Sequence, residues 1–191
     1  MVCVNVCGVA VRVDFTAPAL LALMFLTLPQ TDAALLVLAC VLHESAHFLA
    51  LSICREKPTE LQISGLGMQL CIPQAVVLPL GKLAVIALAG AAANGIAAVC
   101  FAAHGMDTAA AVNVSMGMFN LLPFRGTDGG TLLYAFDEQI FAERGVDVKR
   151  VWKVQTAAVT ILLGMLLFVG QIWNISLWGM LIYLAAQDIA A

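Results

Sequence analysis

The sequence predicts a mainly α-helical, polytopic membrane protein of about six transmembrane helices, with a small β-sheet (N-terminal strand plus hairpin) at the cytoplasmic face. Three observations carry that expectation. Of 191 residues, 62% are hydrophobic and 11% charged, with a mean hydropathy of +0.99, against roughly 25% charged in an ordinary soluble domain. Six apolar segments recur along the chain, near 15–28, 33–54, 83–103, 108–124, 151–170 and 172–187. Finally, the nine Lys and Arg residues all fall on one side of a six-span arrangement.

Residues 2–13, VCVNVCGVAVRV, place valine at every second position with a slip at Gly8, which reads as one half-buried strand over residues 1–14 carrying a bulge. The first apolar segment, bracketed by Pro18 and Pro29, has no basic region before it and no small-residue cleavage site after it. It is expected to be a retained helix. A span needs about 20 apolar residues, so the first, fourth and sixth segments are short and must borrow flanking residues or bury their ends in protein. Within residues 55–80, TELQISGLGMQLCI alternates Leu61 and Ile63, turns at Gly65-Leu66-Gly67, and alternates again through Met68, Leu70 and Ile72, as a hairpin does. Residues 125–150 form a connecting loop in which Leu132, Leu133, Phe136 and Ile140 mark one face of an amphipathic helix. The whole of 1–191 reads as a single domain without internal repeats.

Orientation follows from charge. Arg12, then Arg55, Lys57 and Lys82, then Arg125, Arg144, Lys149, Arg150 and Lys153 occupy alternate connections, which the positive-inside rule makes cytoplasmic. Both termini are then cytoplasmic and the bilayer is the principal surrounding. A net charge of -3 leaves no basic surface to hold nucleic acid by counterion release. The six cysteines show no paired metal spacing and read as packing residues.

Against this oily background stands LHESAHFL, Leu42 to Leu49, with His43, Glu44 and His47 inside a predicted span. Ionisable groups there cost several kcal/mol each unless paired or coordinated. Histidines four apart share a helix face and can hold one metal ion, with the intervening glutamate placed to move a bound water's proton. The third histidine, His104, falls at a helix end and reads as an interfacial residue. A catalytic zinc takes a third protein ligand; the carboxylates in or near the membrane are Asp14, Asp32, Asp107, Asp128 and Asp188. Asp128 stands out because Pro123 and Gly129-Gly130 break the helix around it, giving irregular backbone that membranes tolerate only where it is buried or lines a cavity. The plainer reading of Asp128 is an N-cap for the following helix.

His43-Glu44-Ser45-Ala46-His47, followed downstream by Asn120-Leu121-Leu122-Pro123-Phe124-Arg125-Gly126-Thr127-Asp128-Gly129, resembles the paired HExxH and NxxPxxxxDG signatures of the site-2 proteases, the intramembrane zinc metalloproteases. It is most similar to their compact branch, which includes a sporulation protease that activates a sigma factor. The resemblance implies one Zn2+ per chain held by His43, His47 and Asp128, with Glu44 activating water and Asn120 positioning or polarising the scissile carbonyl. It also implies a membrane-associated protein substrate, for this branch a pro-sigma or anti-sigma factor. AGAAANG, Ala89 to Gly95, resembles a third family pattern, with Ala91 where that pattern has proline and Asn94 retained. Asn94 is a substrate-binding candidate or an interhelical hydrogen-bonding residue. Arg125-Gly126-Thr127 and Thr131 depart from the family pattern, which bears on substrate choice. A substrate helix must unwind before cleavage, and the edge of the N-terminal strand or hairpin is expected to hold it extended. Two other classes stay open: a catalytically silent scaffold of the same fold, which needs no zinc, and a metal-ion transporter, which does not cut.

Overall fold

The computed structural model describes residues 2–6, 9–58, 60–64, 67–71, 78–141 and 144–190. The order of elements is β1 (Val2–Val6), β2 (Val9–Val13), α1 (Thr16–Thr27), α2 (Gln30–Ile53), β3 (Glu60–Ser64), β4 (Gly67–Cys71), α3 (Leu80–Ala103), α4 (Asp107–Asn120), α5 (Asp128–Phe141), α6 (Val148–Val169) and α7 (Ile175–Ala190). The chain divides into two compact units, Met1–Phe119 and Asn120–Ala191.

In the first unit the valine-rich N-terminus is two strands and not the single bulged strand expected. β1 and β2 pair antiparallel from Val2↔Val13 to Val6↔Val9, which leaves only Cys7 and Gly8 between them. A two-residue connection containing glycine is a hairpin signal that a bulge reading overlooks, because both keep the period of two on either side of the glycine. The expected bulge at Gly8, the turn at Gly65-Leu66 and Ile72 lie outside the described residues. β2 pairs parallel with β3, and β3 antiparallel with β4, giving a four-stranded sheet in the order β1-β2-β3-β4. A parallel pair requires a long crossover, here supplied by α1 and α2. Asp14 closes the junction: its N–H donates to Ile63 O at 2.8 Å, and its carboxylate accepts from Phe15 N at 2.7 Å and Thr16 Oγ1 at 3.1 Å.

α2 and α3 are each 24 residues long, about 36 Å at 1.5 Å per residue, enough to cross a hydrocarbon core of roughly 30 Å. With α6 they are the three helices, among the described residues, long and apolar enough to cross a membrane. The segments read as short from sequence are α1, α4 and α7, of 12, 14 and 16 residues. Small residues let the long pair approach: Ala33, Ala39 and Ala50 on α2 and Ala87, Gly90 and Ala98 on α3 are buried. Ala50, Leu51 and Ile86 form a core cluster on which Cys54 packs, whereas Cys3 and Cys100, also expected to be packing residues, are exposed. Outward side chains such as Leu49, Ile53, Ile96 and Val99 are exposed, an apolar surface suited to lipid. α2 stops where Arg55 takes φ 59, and Lys82 bridges from the start of α3 to Glu56 Oε1 at 2.7 Å and Cys54 O at 3.2 Å.

In the second unit, buried Trp152 on α6 meets Tyr134 of α5 edge to face at 5.5 Å. Its Nε1 donates to Oδ1 of Asp188 on α7 at 3.3 Å. The expected apolar stripe of α5 is only partly the packed one: Phe136 is exposed, while Asp137 is buried and accepts from Gln155 Nε2 at 3.3 Å. Asp137 and Gln155 thus join α5 to α6 by a polar contact.

Candidate metal centre

In the first unit the histidine pair of α2 is hydrogen-bonded from α3, with α4 behind it. His43 and His47, one turn apart on α2, are both buried, and their rings meet edge to face with centroids 4.7 Å apart. Glu44, next to His43, is half-buried. His47 Nδ1 lies 2.7 Å from the backbone oxygen of Ile86 on α3. A carbonyl oxygen can only accept, so His47 carries its proton on Nδ1 and presents Nε2 as the lone-pair nitrogen. His43 Nδ1 lies 2.6 Å from Asn94 Oδ1, and the same logic holds because Asn94 uses its nitrogen elsewhere. That Nδ2 donates to Ala39 O at 3.2 Å and to Asn113 Oδ1 at 2.9 Å.

The two Nε2 atoms converge over Gly90. A Cβ there would stand 2.5 Å from His43 Nε2 and 2.6 Å from His47 Nε2, closer than any side-chain atom fits. Metal-ligating histidines are held in this way, by a hydrogen bond from the second ring nitrogen to an oxygen that fixes both tautomer and ring plane.

Asn94 has no exposed surface. Its amide joins α3 to α2 and α4, which is the interhelical role open to it from sequence. Gly90 and Asn113 carry no motif of their own. Gly90 lies inside AGAAANG, and Asn113 recurs with buried Ala109 and Gly117 at spacings of four on α4, so helical periodicity was the signal that could have found it.

In the second unit, residues 121–127 turn sharply, with Gly126 at φ 85, and deliver Asp128 as the first residue of α5. Thr127 makes a capping hydrogen bond here: Thr127 Oγ1 accepts from Gly130 N at 3.1 Å and donates within the turn to the carbonyls of Leu122 and Phe124. Gly129 and Gly130 lie so close to the backbone oxygens of Leu121 and Phe124 that a Cβ at either would overlap them. Asn120 closes α4, half-buried.

Of the other carboxylates weighed as a third ligand, Asp14 is engaged at the start of α1, as described. Asp188 is buried and accepts from Arg125 N at 3.2 Å as well as from Trp152. His104 is exposed at the end of α3, with Nδ1 donating to Cys100 O at 2.8 Å. The donor set His43, His47 and Asp128 is of a kind that could hold a metal ion, and two imidazoles with one carboxylate match the chemistry of a zinc site with an open position.

The fold matches a solved structure, the Site-2 Protease from Methanocaldococcus jannaschii, at a TM-score of 0.68 and 17% sequence identity, covering 99% of this chain and 94% of that one. No protein-family model and no curated protein matches the chain. At that identity the likeness establishes the fold.

Proposed function

We propose that this chain, which has the fold of a site-2 protease, is a zinc-dependent metalloendopeptidase that hydrolyses a peptide bond in or near a membrane segment of a protein substrate. The observation that carries the proposal is the buried histidine pair on α2, each ring hydrogen-bonded through Nδ1 to an oxygen on α3. His43, His47 and Asp128 would hold the metal. Zinc bound there would supply Lewis acidity, lowering the pKa of water toward about 7 and polarising the scissile carbonyl.

The remaining steps belong to side chains. Glu44 takes the proton of the attacking water and later delivers it to the departing amine. Asn120 donates from its amide to the carbonyl oxygen as negative charge develops there. The substrate strand lies extended along an edge of the β1-β2-β3-β4 sheet, held by strand addition. In this reading the three short helices complete six spans with both termini cytoplasmic, and the protein substrate is of the pro-sigma or anti-sigma kind.

The test is cleavage of a reconstituted membrane-segment substrate by the wild type and by Glu44→Gln, with new termini identified by mass spectrometry. Cleavage by the wild type alone supports the protease. A scaffold cleaves in neither case, and a transporter moves metal across vesicles without cutting.

A further inference from the structure

Two buried amides stand behind His43, and only the nearer one belongs to a sequence motif. Asn113 is 3% exposed and Asn94 0%, so both must satisfy their polar atoms inside the protein. Asn113 Nδ2 donates to Ala109 O at 2.9 Å. That acceptor is a backbone carbonyl of α4 and cannot become a donor. Asn113 must therefore turn its Oδ1 outward, where it accepts from Asn94 Nδ2 at 2.9 Å. Asn94 must in turn aim its Oδ1 at His43, where it accepts from Nδ1 at 2.6 Å.

A primary amide rotated by half a turn fills nearly the same volume with donor and acceptor exchanged. Were Asn94 reversed, its nitrogen would face His43 Nδ1, the imidazole proton would move to Nε2, and the lone pair would leave the nitrogen that faces His47. Ala39 O also opposes that reversal, at 3.2 Å from Asn94 Nδ2, but it is the longer of the two contacts. His47 is fixed differently: its Nδ1 donates directly to Ile86 O, with no amide between.

We propose that Asn113 is a positioning residue: through Asn94 it fixes the neutral tautomer of His43, so that the polarity of the metal-facing nitrogen is set by the backbone carbonyl of Ala109 on α4. In this relay Asn113 acts on His43 only through the amide of Asn94. That dependence separates it from a packing residue, whose loss would disturb the two histidines alike.

The experiment reads the histidine tautomers by 15N NMR of the full-length, metal-free protein at alkaline pH, in the wild type, Asn113→Leu and Asn113→Asp. Zinc affinity of the same proteins is measured by competition with a chelator. Asn113→Leu is expected to mix the tautomers of His43 while His47 stays protonated on Nδ1, and to weaken zinc by about 10- to 100-fold. Asn113→Asp keeps an oxygen to accept from Asn94 and is expected to retain the His43 tautomer. Adding Asn94→Leu to Asn113→Leu should cost no more zinc affinity than Asn94→Leu alone, because both act through one contact. An unchanged His43 tautomer in Asn113→Leu, equal disturbance of His47, or additive losses in the double variant would overturn the relay. The zinc arm rests on the proposed function and the tautomer arm does not, so even in a protein that binds no zinc the His43 tautomer decides the role of Asn113.

Discussion

Gly90 closes directly against the imidazole of His43: a Cβ on Gly90 would stand 2.5 Å from His43 Nε2, the nitrogen that faces the proposed metal. Gly90→Ala should therefore displace both rings while leaving α3 helical, since alanine is a better helix former than glycine. Zinc affinity should fall by at least about tenfold, with helix content by circular dichroism unchanged. Wild-type zinc affinity in this variant would mean that the metal, if any, sits elsewhere.

His43→Ala and His47→Ala remove one Nε2 each and should each abolish stoichiometric zinc. Metal analysis of the purified proteins checks this, and full occupancy in either variant would rule out the ligand set.

Glu44→Gln keeps the size of the side chain but cannot accept the water's proton. It should retain zinc and bind substrate while turnover drops by about 10²- to 10⁴-fold. A variant that cuts at near the wild-type rate would remove Glu44 from the proton-transfer role.

Because Thr127 makes the capping hydrogen bond, ligation and capping at this helix start can be separated. Thr127→Ala should cost about 1 kcal/mol of stability with zinc retained. Asp128→Asn should fold normally yet bind zinc more weakly and lose most activity, since zinc prefers the anionic oxygen. The opposite pattern in the two variants would return Asp128 to a structural role and reopen the search for a third ligand.

Reporters fused after Ala191 and near Glu138 should both read cytoplasmic if the six-span arrangement holds. Opposite readings would show that one of α1, α4 or α7 does not cross.

The helices and the histidine pair were legible in the sequence because each has a local signature: long apolar runs for α2 and α3, and histidines at a spacing of four within one of them. What was illegible depends on contacts between elements. Val2 to Val13 obeys the same alternation whether it is one strand or two, and only the pairing of Val6 with Val9 decides. Asp128 and Thr127 are both good capping residues, and the choice between them rests on which oxygen reaches Gly130 N. Asn113 carries no motif at all. Its place is set by α4 packing on α3, with Gly117 near Ala91 O, a relationship that one-dimensional spacing hints at but does not identify. Asp137 escapes a sequence reading because a buried acid on an amphipathic helix contradicts the pattern until its partner, Gln155 on α6, is known.

The central claim is that peptide-bond hydrolysis by this chain depends on zinc held by His43 and His47. Its most direct test is the cleavage rate of a reconstituted membrane-segment substrate before metal removal by a chelator, after it, and after return of one equivalent of zinc. The account predicts loss of cleavage on removal and recovery on return, with no recovery in His43→Ala. Cleavage that persists undiminished in the metal-free protein would contradict it.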